Sequence, residues 1–268
     1  MNDDQPVEAV RRVLARVRKL ARPEVRRREG CFWVEGVKHF VQAVDARFEF
    51  EAVVYSRILL NSDTAEMFSR RLSASGVPRI KVTPEQFRSV SGTVRASGIG
   101  AIVRERWTPL EQAAAERGLC WLVFEQMRSP GNLGSILRTA QACGASGAIF
   151  VGDRCDPFDP DVVRASMGGL FHLPMVRTMH AELGRWATSR GVQVVGLSPE
   201  AETLWSEFAT AQAVAVVVGE EREGLSPRLR GLCDTFVRLP MTGGADSINV
   251  SVAAGVMLYE LVRRSNGL

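Results

Sequence analysis

Apolar positions along the chain follow two periods. Val7, Val10, Leu14, Val17 and Ala21 recur at helical spacing, with Arg11, Arg12, Arg16, Arg18, Lys19 and Arg22 on the other faces. That spacing predicts a basic amphipathic helix at the start of the chain. Short apolar runs then alternate with helix-period segments. Cys31–Glu35, Glu51–Tyr55, Ile80–Val82 and Ile99–Val103 read as strands, with helices over Val37–Ala46, Thr64–Ser75 and Pro84–Val90 between them. A second alternation begins near residue 118. Its expected strands are Cys120–Phe124, Ala148–Val151, Leu173–Val176, Val192–Leu197, Ala213–Val218 and Thr235–Leu239. Its expected helices are Leu133–Cys143, Asp161–Met167, Ala181–Arg190, Pro227–Cys233 and Val250–Arg264. Ala213–Val218 is apolar at every position, as a strand covered by helices on both faces must be. The pattern predicts an α/β protein: a small α/β domain over 1–105, a linker over 106–117, and a second domain over 118–268 built on a mostly parallel sheet.

Composition narrows the class. Of the 268 residues, 46% are hydrophobic and 24% charged, which excludes a disordered or fibrous chain. No apolar run approaches the roughly 18–20 residues of a membrane span. Met1–Gln5 lacks the basic-then-apolar pattern of an export leader. Five scattered cysteines (Cys31, Cys120, Cys143, Cys155, Cys233) fit reduced thiols and a cytoplasmic location. His39, His172 and His180 are too few and too scattered for a metal site, so none is expected.

The net charge of +4 sits in the arm, because residues 1–30 hold nine basic and five acidic side chains and the remainder balances. A basic helix suits a polyanion such as RNA or an acidic membrane surface. A solvated helix packed by its apolar stripe has the same sequence.

Three turns carry candidate chemistry. Ser129-Pro130-Gly131-Asn132-Leu133-Gly134 opens a helix soon after a strand, where free backbone N–H groups can hold an anion. The dinucleotide fingerprint G-x-G-x-x-G fails there, since Leu133 and Ile136 occupy the later glycine positions; Asp153 lies at the distance of a ribose-binding acid but does not rescue it. Arg138 lies one helical turn beyond Gly134; there it can project beside the turn or serve as an ordinary surface arginine. In the second turn, Gly219-Glu220-Glu221-Arg222-Glu223-Gly224, two glycines bracket charge at a strand's carboxyl end, with Glu221 the polar candidate; a charged loop before an N-capping Ser226 reads equally. The third runs from Leu239-Pro240-Met241 to Ser247-Ile248-Asn249 at the mouth of an apolar helix, where Asn249 is a candidate contact or simply a helix cap.

In order and spacing the three turns resemble the SpoU class of SPOUT RNA methyltransferases. Asn132, Gly134 and Arg138 match the family's N-x-G-x-x-x-R; Gly219, Glu221 and Gly224 match G-x-E-x-x-G; Leu239-Pro240-Met241 and Ser247-Ile248-Asn249 match the third motif, with Ile248 in place of the commoner Leu. Glu125 and Ser129 stand where Asp-type residues are frequent. The resemblance covers about 118–264. Residues Phe32-Trp33-Val34-Glu35-Gly36 and the pattern after them resemble the small ribosomal-protein-like RNA-binding domain often fused to such enzymes.

That resemblance implies a C-terminal trefoil-knotted domain, S-adenosylmethionine as cofactor, an RNA substrate (ribosomal or transfer RNA) methylated on a ribose 2′-hydroxyl, and a homodimer. It implies cofactor contacts from Gly219, Leu239, Met241 and Ile248. Arg138 would be the catalytic residue, with Asn132, Glu221, Ser247 and Asn249 orienting it and the ribose. A guanidinium stays protonated, so Arg138 is expected to stabilise charge on the 2′ oxygen rather than act as a base. An inactive RNA-binding protein on the same fold is the alternative, and a nicotinamide-dependent oxidoreductase a distant third.

Overall fold

The computed structural model of the chain describes residues 6–114, 118–243 and 247–265. Three stretches read from sequence lie outside the described residues: Met1–Gln5, 115–117 within the expected linker, and 244–246 within the third turn.

Spatially the chain forms two units, each with its own core. The first begins with α1 (Val7–Lys19), whose apolar stripe buries Val13, Leu14 and Val17, and continues through α2 (Pro23–Glu29), where Pro23 occupies the first turn. Gly30 ends α2 in the left-handed conformation at φ 61°, turning the chain into β1 (Cys31–Glu35). There follow α3 (Val37–Asp45), β2 (Phe50–Tyr55), α4 (Asp63–Ala74), β3 (Arg79–Lys81), α5 (Pro84–Arg88) and β4 (Ile99–Arg104). The sheet order is β1-β4-β2-β3, antiparallel except for the parallel pair β2 and β3. Leu20, Trp33, Val54, Phe87 and Ile102 meet in one core against the α1 stripe. His39 is buried, its ring nitrogens facing the carbonyls of Glu35 (3.0 Å) and Arg164 (3.3 Å), and desolvation lowers its pKa.

The second unit starts at Trp107 and holds β5 (Trp121–Phe124), α6 (Pro130–Ala142) and β6 (Gly147–Val151). The chain then enters α7 (Pro160–Ala165), and here the structure departs from an unbroken second domain: Phe158–Phe171 groups with the first unit. The reason lies in its side chains. Phe158 packs on Phe32 with ring centroids 4.7 Å apart, and Asp159 takes the guanidinium of the buried Arg26 at 2.9 Å. Residues 107–114, expected as linker, group with the second unit; Leu110–Gln112 forms a single 3₁₀ turn. After α7 come β7 (Met175–Thr178), α8 (His180–Arg190), β8 (Val192–Leu197), β9 (Thr203–Leu204), β10 (Ala213–Val218), α9 (Pro227–Arg230), β11 (Thr235–Arg238) and α10 (Val250–Ser265). The two-residue β9 was not expected; it is too short to show a period.

These strands form one seven-stranded sheet in the order β7-β6-β5-β10-β8-β11-β9, every pair parallel, as the uniformly apolar strands predicted. β10 is buried along its whole length. Trp121 and Trp186 meet edge to face under one side of the sheet at 6.2 Å. All carboxyl ends of the strands lie along one edge, where parallel sheets place their ligand crevices. No described helix is long and apolar enough to cross a membrane.

Candidate functional site

Local chemistry places the first turn. Ser129 accepts a hydrogen bond from the Asn132 backbone N–H at 3.2 Å, and Pro130 sits in the first helical turn, so α6 starts where its sequence dictates. Leu133, Ile136, Leu137 and Ala140 face the core. That orientation leaves Asn132 half-buried beside the helix start and Arg138 exposed on the outer face.

The second turn is a closed loop after β10. Glu220 and Gly224 exchange backbone hydrogen bonds of 2.9 and 3.0 Å, with Gly224 at φ 68°. Gly219 is needed for the same closure, since a Cβ there would lie 2.7 Å from the Gly224 carbonyl carbon. The buried Glu220 carboxylate accepts from the Arg222 and Glu223 backbone N–H groups (2.9 and 2.5 Å), and its other oxygen lies 2.5 Å from Arg128 Nε as an ion pair rather than an aligned hydrogen bond. Glu220 therefore shapes the loop, and Glu221 is free to face the first turn. Its carboxylate accepts from the backbone N–H groups of Arg128 (3.1 Å) and Ser129 (3.2 Å) and from Asn132 Nδ2 (3.0 Å). Burial pushes the Glu221 carboxyl up, but the hydrogen bond from Asn132 and those from the backbone outweigh it and hold the group below its ordinary value.

The third turn completes the set. Asn249 Oδ1 accepts from the Ser251 backbone N–H at 2.8 Å, capping α10, while its Nδ2 donates to Asn132 Oδ1 at 3.1 Å. The helix-cap reading of Asn249 therefore holds, and the same side chain also reaches the first turn. Asn132 joins Glu221 to Asn249, using its amide as donor toward one and acceptor toward the other.

Beside this network opens a cavity of about 510 Å³ at the carboxyl ends of β8, β10 and β11. Of the expected site residues, Gly219, Glu221, Leu239, Met241, Ser247, Ile248 and Asn249 line it. Asn132 is bonded to two of these residues without lining the cavity, and Arg138 does not line it. The Arg138 side chain makes no hydrogen bond or ion pair to any described residue. Asp153 lies past β6, away from the cavity lining. Sequence reasoning missed Leu197, Ser198 and Pro199, which close the cavity from the end of β8, as well as Arg222 and Ser251. The available signal was positional: once Val192–Leu197 is read as a parallel strand, its carboxyl end belongs to the ligand edge. Among the described residues no group of three His, Cys, Asp or Glu side chains could hold a metal ion.

Three turns are thus joined beside one pocket, and comparison with known proteins identifies the group. Residues 120–259 match the SpoU rRNA methylase family. The chain belongs to that family. Residues 13–101 match the MRM3-like substrate binding domain. Among relatives of this SpoU protein, the 23S rRNA (uridine(2479)-2′-O)-methyltransferase of Streptomyces viridochromogenes is 32% identical over 89% of this chain and 85% of the relative. The 23S rRNA (guanosine-2′-O-)-methyltransferase RlmB of Ralstonia nicotianae is 32% identical over 83% of this chain and 93% of its own. A solved structure of an AdoMet-bound rRNA methyltransferase from Sinorhizobium meliloti superimposes with a TM-score of 0.85 at 30% identity, covering 94% of each chain. These matches bear out the resemblance drawn from the three turns.

Proposed function

We propose that this SpoU protein transfers a methyl group from S-adenosylmethionine to a ribose 2′-hydroxyl of structured RNA, and that ribosomal RNA is the substrate. The observation that carries the proposal is the hydrogen-bonded chain Glu221–Asn132–Asn249, which ties all three family turns together beside the cavity. The relatives named above act on 23S rRNA, which favours ribosomal over transfer RNA.

The cavity fits the cofactor in size and character. About 510 Å³ is within the range of sites for ligands of that size. Gly219, Leu239, Met241 and Ile248 would hold it, offering apolar surface and backbone amides and carbonyls. S-adenosylmethionine supplies an electrophilic sulfonium methyl. The 2′-hydroxyl gives its proton to solvent as the methyl passes to its oxygen and the sulfonium becomes a neutral thioether, so what the chain must add is a positioned ribose and a place for negative charge on the attacking oxygen. Arg138, exposed and uncommitted, provides a guanidinium for that charge. Glu221 already accepts three N–H donors as a carboxylate; a group so satisfied has little affinity for a proton, so it orients Asn132 and the ribose rather than acting as the base. Ser247 and Asn249 complete the orienting set at the start of α10.

Two further features belong to the proposal. The C-terminal trefoil knot implied by the family is one; Leu239, Met241 and Ile248 lining the same cavity as the 219–224 loop supports it. Two copies assemble through the C-terminal unit; the exposed Val252 and Tyr259 on α10 support this, as does the placement of Arg138 outside its own copy's cavity lining. A cytoplasmic location fits the same reading, supported by the five free cysteines.

The test is methyl transfer from tritiated S-adenosylmethionine to deproteinised ribosomal RNA from cells lacking the gene, followed by mapping of ribose methylation. Label at one 2′-hydroxyl is expected. Tight cofactor binding with no labelled RNA would favour the inactive RNA-binding alternative.

A further inference from the structure

The carboxyl edge of the seven-stranded sheet has two halves. The ends of β8, β10 and β11 carry the cofactor-sized cavity, whereas the ends of β5, β6 and β7 lie outside it. Side chains stitch this second half together. His180, at the start of α8, places Nε2 2.9 Å from Glu125 Oε1, just past β5. With the order β7-β6-β5, that pair crosses the end of β6, a span of roughly 10 Å at two inter-strand spacings. Arg154, past β6, donates through Nη1 to Gln126 Oε1 at 3.2 Å. The start of α8 is fixed in turn by Glu182, which accepts from Thr178 Oγ1 (2.9 Å) and the Met179 backbone N–H (3.1 Å). Met179 itself is 58% exposed.

This floor has directional chemistry. With Gln126 Oε1 engaged, the amide presents N–H, and the exposed Arg154 keeps further N–H donors. His180 Nε2 faces Glu125 Oε1, so its Nδ1 is the ring nitrogen left to meet a ligand, as an acceptor when the ring is neutral with its proton on Nε2. Met179 adds a polarizable apolar surface. Donors, an acceptor and a soft face together suit an unstacked nucleobase, which stacks on one surface and hydrogen-bonds along its edge. Neither side-chain pair is needed to hold the strands, whose backbones already pair in register. Position adds to the argument. Asn132 and Glu221 stand past the ends of β5 and β10, between the two halves of the edge. A ribose presented there has the cofactor cavity on one side and the floor on the other.

We infer that the floor formed by Gln126–Arg154 and Glu125–His180 receives and reads the base of the nucleotide being methylated. Gln126 and Arg154 are the specificity-determining residues and present donors to a base edge rich in acceptors. Glu125 and His180 are positioning residues. The inference rests on the ribose methyl-transfer reading.

The test uses Gln126→Ala, Arg154→Ala and His180→Ala in the full chain. Substrates are ribosomal RNA from cells lacking the gene and transcripts of the methylated region, with the target base either native or exchanged. Each variant is expected to lose about tenfold or more in kcat/KM on the native transcript, to keep its cofactor affinity by calorimetry, and to show a reduced preference for the native base. Gln126→Glu, which puts an acceptor where the donor was, is expected to cost more than alanine. Unchanged base preference overturns the inference, whether kcat/KM holds or falls, because a purely structural role lowers rate without relaxing preference. Wild-type protein that binds cofactor but labels no RNA overturns the methyl-transfer reading and the inference together.

Discussion

Arg138 on α6 and Arg16 on α1 occupy similar places in sequence, each on the far side of an apolar helical stripe, and the fold treats them oppositely. At the start of the same helix as Arg138 the polar groups satisfy one another: Asn132 bonds Glu221 and Asn249, and Glu221 takes two more backbone N–H groups. The cation is left exposed, with no partner among the described residues. Arg16 is consumed. Its Nε lies 2.8 Å from Glu29 and its Nη2 2.5 Å from Glu51, a residue of a strand 35 positions away. Arg26 goes further, 1% exposed and bonded to the Leu20 carbonyl at 2.7 Å. Helical phase tells which face a charge occupies. Whether that charge is available depends on carboxylates that arrive from elsewhere in the fold, and Arg11, Arg12, Arg18 and Lys19 of the arm are among those that meet none among the described residues. Arg18 meets only the Ser89 hydroxyl, at 2.7 Å.

The contrast can be broken most decisively at Arg138. Arg138→Ala is expected to cut single-turnover methyl transfer by roughly a hundredfold or more, the scale of a lost charge-stabilising contact, with melting temperature and cofactor affinity unchanged. Near-wild-type turnover would show that the free cation is idle.

Next in size is Gly219→Val. Its side chain meets the Gly224 backbone, so the loop that carries Glu221 must open. Cofactor affinity is expected to fall at least tenfold by calorimetry, the order of a one-kcal/mol or larger packing conflict, along with some loss of stability. Unchanged affinity in a folded variant would detach the loop from the cofactor.

The arm offers a matched pair. Neutralising Arg11, Arg12 and Lys19 together is expected to lower the slope of log affinity against log salt for single-stranded RNA by roughly 2, at about 0.7 per phosphate contact. Arg16→Met should leave that slope alone. Parallel lines for the triple variant would mean that the arm only packs.

Arg16→Met is instead expected to cost about 1 kcal/mol of stability, since the pair is only partly shielded from water. Burial pushes the Glu51 carboxyl up, but Arg16, with Cys31 and Arg104, outweighs it and holds the group below its ordinary value. A depressed carboxylate stabilises the fold above its unfolded pKa of about 4.3 and loses that contribution as pH falls through the folded value. The difference between wild type and Arg16→Met in denaturant melts should therefore shrink on acidification below pH about 4. A difference constant down to pH 2 would place the effect in packing rather than charge.

Much of the molecule was legible beforehand because it is governed by neighbours in sequence. Apart from the two-residue β9, the strands of both units follow from apolar runs and their lengths, the start of α6 from Ser129 and Pro130, and the start of α9 from Ser226, whose Oγ accepts from the Leu229 N–H at 3.2 Å. The three turns were identifiable from residue order alone, and with them the family.

Tertiary structure decided the rest. Asn132 bonds residues 89 and 117 positions away, so no local pattern can show that one amide serves both turns. The grouping of Phe158–Phe171 with the first unit depends on Phe32 and Arg26, more than a hundred residues upstream. The end of β8 became a cavity wall only when the sheet set it between β10 and β11. Period and capping act over a few residues; strand order and the partnering of charges arise from long-range contacts that exist only after the chain has folded.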